Sequence, residues 1–306
     1  MNSEPSLRGP SGAASSLRVS AVLPTYNRAG LLVRCLESLE AQTLDRDAYE
    51  VIVVDDGSTD NTSEVSSAVV ERAKMRMVYV RGSHGGPATA RNLGIGRARG
   101  EIVAFIDDDC AAASDWLERL LAALINEQVV GVEGKVVRHP DCTPFTHFVE
   151  NLNGGLFLTA NMAYRRDVLE AAGGFHQDYR LAAAEDWDLA FRIMERGGEI
   201  RFCPEAVVVH APVPIEGRDF IEIARERRSA AMLYQRFPRR WEATTGRTMR
   251  RSFAEGIFTG PFVEARKWRR YFSTHRSALP PFLWWQALAS ARLLVEYVRL
   301  RHVGLV

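Results

Sequence analysis

Four strand-length apolar runs constrain this chain more than any other feature, because each ends in a polar cluster and is followed by a helix-spaced segment. The runs are Val19–Leu23, Val51–Val54, Met75–Val80 and Ile102–Ile106. After them, Leu31–Ala41, Thr62–Ala73, Ala88–Arg97 and Ser114–Ile125 carry apolar residues at helical spacing. Strands that are apolar on both faces must be covered on both faces. The pattern therefore predicts an α/β domain with a mainly parallel sheet flanked by helices. The clusters at the strand ends are PTYNR (24–28), DDGSTDNT (55–62), RGSHGGP (81–87) and DDDC (107–110). In an open sheet of this kind the ligand sits beyond the carboxyl ends of the strands, so all four clusters are expected on one rim.

From about residue 129 the pattern changes. Extended segments at Val129–Val137, Leu156–Ala163, Glu199–Phe202 and Val207–Val209 alternate with short helices, one of them Ala184–Glu195. This is expected to be α+β material closing one edge of the sheet. Beyond Asp219 the reading is helical and arginine-rich, ending in Pro281–Arg299.

With 306 residues, 46% hydrophobic and 25% charged, the chain can build a sizeable core. The longest uncharged stretch near the C-terminus, Ser277–Ala291, is 15 residues. That is short of the roughly 20 needed to cross a bilayer. Residues 1–17 are Ser/Gly/Pro-rich without the apolar centre of a signal peptide, so a disordered leader and a cytoplasmic protein are expected. Cys35, Cys110, Cys142 and Cys203 form no CxxC pair, which predicts reduced thiols. Secreted, collagenous, disordered and membrane-spanning classes are excluded.

The net charge of +1 hides an asymmetry. Residues 218–306 carry 18 Arg/Lys against 7 Asp/Glu, or +11, and residues 1–217 carry 21 against 31, or −10. The expected division is a leader at 1–17, a catalytic domain at 18–217 with halves 18–110 and 111–217, and a basic helical region at 218–306.

Three acidic groups and one histidine carry the candidate chemistry. Asp55 and Asp56 leave a strand toward the rim, where a carboxylate can accept from a ligand's ring NH or sugar hydroxyls. The same residue types form Asx-turns and caps, a role expected of Asp60 and Asn61. Asp107, Asp108 and Asp109 repel one another unless a cation neutralises them, and hard ions such as Mg2+ or Mn2+ prefer oxygen ligands. An acidic turn capping the Ser114 helix is the alternative. At the start of the helix Ala184–Glu195, the carboxylates of Glu185, Asp186 and Asp188 cannot share one face. One of them can enter a cleft as a general base, or all can serve the helix dipole. His210 closes the apolar run VVVH as a ligand or a structural residue.

The set, in this order, resembles the inverting glycosyltransferases of family 2, which have the GT-A fold. The matching elements are PTYNR, VVDDGSTDNT at 53–62, GGPATARNLGIGRARGEIVAFIDDDC at 85–110, TANMAYRRDVLEAAGGF at 159–175 and EDWDLAFRI at 185–193. They span about residues 19–210 and leave the tail uncovered. The resemblance implies that Pro24, Tyr26, Arg28, Asp56, Arg91, Asp107 and Asp108 surround the nucleotide-sugar. Tyr26 would stack on the base and Asp56 would hydrogen-bond it. It implies a DxD motif in which Asp107 faces ribose and metal and Asp109 ligates the metal, with His210 completing the shell of a Mn2+ or Mg2+ ion. Asp186 matches the catalytic base, and Glu185 matches a residue holding the acceptor or the base. Cys110 is expected to pack and not to bind zinc. The implied activity is transfer of one sugar (hexosyltransferase type) from a nucleotide-diphosphate donor, UDP most often, to an unknown acceptor. No nucleic acid is expected as a partner.

A nicotinamide oxidoreductase would need G-x-G-x-x-G where this chain has PTYNR. A nucleotidyltransferase and an inactive sugar-nucleotide-binding protein are the remaining alternatives. QRFPRRW at 235–241 lacks the spacing of a processive QxxRW motif. In the tail, Arg225, Arg228, Arg236 and Arg240 form one expected basic cluster, and Arg266, Lys267, Arg269 and Arg270 a second. Trp284, Trp285, Leu288 and Leu293 offer an apolar helix face, for peripheral contact with the inner face of a membrane or for a hairpin or homodimer.

Overall fold

The structure is a computed structural model and describes residues 17–179, 183–217, 219 and 227–304. All of the expected leader except Leu17, and Arg225 of the first basic cluster, lie outside the described residues. β1 (Val19–Thr25) lies inside an eight-stranded sheet. On one side it pairs in parallel with β2 (Tyr49–Asp55), which pairs in parallel with β3 (Arg76–Arg81). On its other side lies β4 (Ile102–Phe105), also parallel. The strand order therefore reverses at β1, which opens a crevice beyond its carboxyl end.

The sheet continues from β4 through β8 (Met162–Arg165), β6 (Val129–Arg138), β9 (Glu199–His210) and β5 (Cys110–Ala112). β8 runs antiparallel to both β4 and β6, β9 runs parallel to β6, and β5 antiparallel to β9. A separate two-stranded ladder joins β7 (Thr146–His147) to β10 (Val213–Pro214).

Successive residues of the central strands enter different cores, which is why those strands read as unbroken apolar runs. Leu23, Val51 and Val53 pack with Leu32 and Leu36 of α1 (Ala29–Glu40) and with Trp116 and Leu120 of α4 (Trp116–Ala123). Val22, Ile52 and Val54 face the other way, onto α3 (Pro87–Ile95) and α6 (Glu185–Glu195). Gly94 lets α3 approach this closely, since a Cβ there would lie 2.4 Å from a Val22 methyl. The second core also takes Ala231 and Leu233 of α7 (Arg227–Arg236), Trp241 of α8 (Pro238–Thr245), and Phe253 of α9 (Met249–Phe258). Three further helices follow: α10 (Gly260–Lys267), α11 (Arg269–Thr274) and α12 (Leu279–His302). The first part of the chain also holds α2 (Thr62–Arg72) and α5 (Arg166–Ala172).

Four expectations need correction. The acidic triplet leads into strand β5, not a turn running into a helix, and α4 starts only at Trp116 with no side-chain cap. Leu156–Ala163 is not one extended segment. Its first part is a loop held by backbone donors to buried Glu133, followed by a 3-10 turn at Thr159–Asn161 and then β8. Glu199–Phe202 and Val207–Val209 are one strand, β9, with a register shift against β6 that periodicity alone conceals. In α12, Leu293 is buried while Trp285 and Leu288 are half-buried, so the expected four-residue apolar face does not form.

Candidate active site

The carboxyl ends of β1, β2 and β4, the start of α3, the end of β9 and the start of α6 converge on one cavity of about 570 Å³. Pro24, Tyr26, Arg28, Asp56, Arg91, Asp107, Asp108, Asp109, Glu185, Asp186 and His210 all line it. Every residue that the resemblance assigned to the site is thus brought to one place, although the two acidic clusters lie more than seventy residues apart in the chain.

Asp56 is buried, and its two carboxylate oxygens accept from the backbone N–H groups of Gly85 (2.9 Å) and Gly86 (2.8 Å). It ties the end of β2 to the start of α3. Asp55 does not reach the rim. It is fully buried and accepts from the Tyr79 hydroxyl (2.6 Å) and the Ser58 N–H (2.7 Å). Asp60 makes the expected local bonds, to Thr62, but the Asn61 side chain caps nothing. Tyr26 presents its ring to the cavity and stacks on His84, with ring centres 4.4 Å apart.

Along the acidic triplet each carboxylate has a different partner. Asp107 accepts from Arg91 Nη2 at 2.9 Å. Asp108 is buried and accepts from Thr25 (2.7 Å) and Arg28 (3.0 Å). Burial pushes its carboxyl up to about 6, against the pull of Arg28. Asp109 accepts from Arg28 at 2.9 Å and lies 3.4 Å from His210 Nε2. The register of β5 on β9, with Cys110 opposite His210, sets this proximity.

His210 Nδ1 lies 2.8 Å from the Ala211 carbonyl oxygen. When Nδ1 donates there, Nε2 is left as an acceptor facing the Asp109 carboxylate, another acceptor. Two such groups in a buried wall need a cation or a proton between them. Donor atoms of Asp109, Cys110 and His210 lie within 4.8 Å of one another. Burial first, and then Asp109, raise the Cys110 thiol well above its ordinary range.

At the opposite wall, buried Arg91 donates to Glu185 at 2.7 Å while holding Asp107. Arg91 Nε and Glu185 Oε2 are buried without a hydrogen-bond partner among the described residues. Asp186 accepts only the N–H of its neighbour Trp187 (2.8 Å) among the described residues and faces the cavity. Its withdrawal from water, and then the adjacent Glu185, raise its carboxyl well above the ordinary range. Asp188 points away, fully buried, to Arg192 (2.7 Å) and Arg236 (2.5 Å). Arg236 and Arg240 are thereby spent on α6, the latter through Glu195 at 2.7 Å, and do not form a free basic cluster.

Sequence reasoning did not single out His84, Thr25, Glu133 or His147. The first two stand inside quoted rim clusters, so position in the cluster was the available signal. Glu133 and His147 carried none. Glu133 is a buried carboxylate that accepts from Asn151, Gly155, Leu156 and Phe157, which fixes the loop leading to the cavity-lining residues 158–160.

A parallel sheet ending in an acidic triplet, extended by antiparallel strands and faced by a second acidic pair at the start of a helix, is the GT-A architecture of nucleotide-sugar transferases. The chain belongs to glycosyl transferase family 2, whose model matches residues 20–181, and it is a glycosyltransferase. Glycosyltransferase AglE of Haloferax volcanii is 28% identical over 207 residues, spanning 64% of this chain and 67% of that one. The mannosyltransferase PcManGT from Pyrobaculum calidifontis, in complex with GDP-Man and Mn2+, superposes with a TM-score of 0.58. It is 24% identical, over 92% of this chain and 86% of that one. A fragment of S. aureus TarS in complex with UDP-GlcNAc also gives 0.58, at 19% identity over 92% and 91% of the two chains. At these identities the two structures speak for the fold. No helix among the described residues is long and apolar enough to cross a membrane.

Proposed function

We propose that this glycosyltransferase moves one sugar from a nucleotide-diphosphate donor, UDP-linked, to an acceptor hydroxyl by single displacement with inversion, assisted by Mn2+ or Mg2+. The observation that carries the reading is the pairing of unlike walls in one cavity: Asp109 with His210 on one side, Asp186 on the other. We assign residues 18–217 to catalysis, with 18–110 holding the nucleotide and 111–217 the acceptor, and 218–306 to a separate helical role.

The donor set fits a divalent ion. Asp107, Asp109 and His210 would hold it, and the opposed acceptors Asp109 and His210 Nε2 are the feature that asks for one. When bound, the ion supplies Lewis-acid stabilisation of the departing diphosphate. The solved relatives that hold GDP-Man with Mn2+, and UDP-GlcNAc, support a nucleotide-sugar as donor.

The chain's own groups divide the remaining work. Tyr26 and Pro24 flank the place of the base, with Asp56 in reach of its edge. Glu185 Oε2, unpartnered among the described residues, accepts from a hydroxyl of the bound sugar or acceptor, while Arg91 keeps the carboxylate oriented. Asp186 takes the proton as the acceptor oxygen attacks the anomeric carbon, its carboxyl made more basic by burial and by Glu185. One base suffices because no covalent intermediate forms.

A panel of nucleotide-sugars incubated with and without Mn2+, with proton NMR of the product anomer, tests this. Inverted configuration and release of nucleoside diphosphate are expected. Retention would reject single displacement, and pyrophosphate release would favour a nucleotidyltransferase.

A further inference from the structure

We propose that the exposed face of α12 is a docking surface for an anionic lipid bilayer. In α12 every exposed position from Pro280 to Val298 is apolar, and the first exposed charge is Arg299. Leu283, Trp284, Leu294, Val295 and Val298 share this face, Trp284 at 62% exposure. The opposite side of the same helix is buried in the protein, through Phe282, Leu293 and Leu300 and through Glu296, which pairs with Arg292 at 2.6 Å. With its charged pair turned inward, the helix leaves a contiguous apolar face outward, and among the described residues nothing covers it.

Charge identifies the cover. The face is bracketed in the chain by exposed cations, with Arg269, Arg270 and Arg276 before it and Arg299 and Arg301 after it. None of these five forms an ion pair among the described residues, whereas Arg236, Arg240, Arg247 and Arg251 all do. A second copy docked on this face would set the cations of one chain against those of the other, whichever way the two helices ran, at a cost from like-charge repulsion. An anionic leaflet takes both features at once: apolar side chains and a tryptophan at the acyl boundary, arginines at the headgroups. α12 additionally walls a second cavity, of about 560 Å³, through Phe282, Gln286 and Leu293, and this cavity shares His147 with the active site. The bilayer would thus lie one helix away from a space adjoining the catalytic cavity.

The test is flotation of the full chain with vesicles of phosphatidylcholine, with and without phosphatidylglycerol, at low and high salt. Flotation with anionic vesicles only, weakened by salt, is expected. Trp284→Glu with Val295→Glu should cut the partition coefficient at least about tenfold, since exposed changes of this kind leave the core intact while removing the apolar contact. Unchanged thermal unfolding of that variant separates loss of docking from loss of fold. Absence of flotation by the native chain at low salt would overturn the proposal, as would equal flotation of the variant. A native dimer that the double variant dissolves, without vesicle binding, would assign the face to a second copy instead. None of these readouts depends on sugar transfer.

Discussion

Arg91 donates one guanidinium nitrogen to Glu185 at 2.7 Å and the other to Asp107 at 2.9 Å, so a single buried cation spans the acidic triplet and the acidic pair. The three residues come from α3, the end of β4 and the start of α6. They meet because the sheet delivers all three elements to one rim. Charge removal here is costly, because each acid was placed in the wall with the arginine opposite it.

Arg91→Met should therefore destabilise the fold by about 3–5 kcal/mol, the usual consequence of leaving a buried carboxylate unpaired. Denaturant unfolding measures it. Combining it with Glu185→Gln should recover part of the loss, and strict additivity of the two changes would show that the residues are not coupled.

Asp186→Asn should lower turnover at least about 10²-fold while leaving donor binding intact. The pH dependence carries the sign. A carboxyl whose pKa is raised stays protonated, and unable to accept, to a higher pH than an ordinary aspartate. Turnover of the native enzyme should therefore rise with pH through a range above the usual carboxylate values. The residual activity of the variant should lack that limb.

Asp109→Ala should abolish transfer and erase the stabilisation that Mn2+ with UDP gives the native protein. A ligand at about 100 times its Kd adds roughly 2.7 kcal/mol, readable as a thermal shift. Without metal the variant should unfold close to the native temperature, since Arg28 retains Asp108 as a partner. A full Mn2+-dependent shift in the variant would remove Asp109 from the site.

Glu133→Ala should loosen residues 151–157, because four donors lose one buried acceptor. A loss of about 1–3 kcal/mol is expected for each buried donor left unmet, less where water enters. Hydrogen exchange at Gly155, Leu156 and Phe157 should accelerate ahead of the sheet. Protection equal to that of the native chain would mean the loop is held by other contacts.

Much of this arrangement was legible beforehand because it is local. The parallel strands announced themselves through unbroken apolar runs such as Val51–Val54, which must be buried on both faces, and chain direction alone put PTYNR, Asp56 and the acidic triplet on one rim. The ordered set of motifs then pointed to the family. The sequence could not say which of several adjacent acids turns inward, because neighbouring residues of a strand exit differ only in register. Asp55 turns to Tyr79 and Asp188 to Arg236, and each adds a partner distant in sequence to a local one. Nor could it read the opposition of Asp109 and His210, which depends on the pairing of β5 with β9 across a hundred residues. The exposed face of α12 was equally hidden. Composition marks the segment as apolar, but only the packing of α12 against the preceding helices decides which apolar residues are left facing outward.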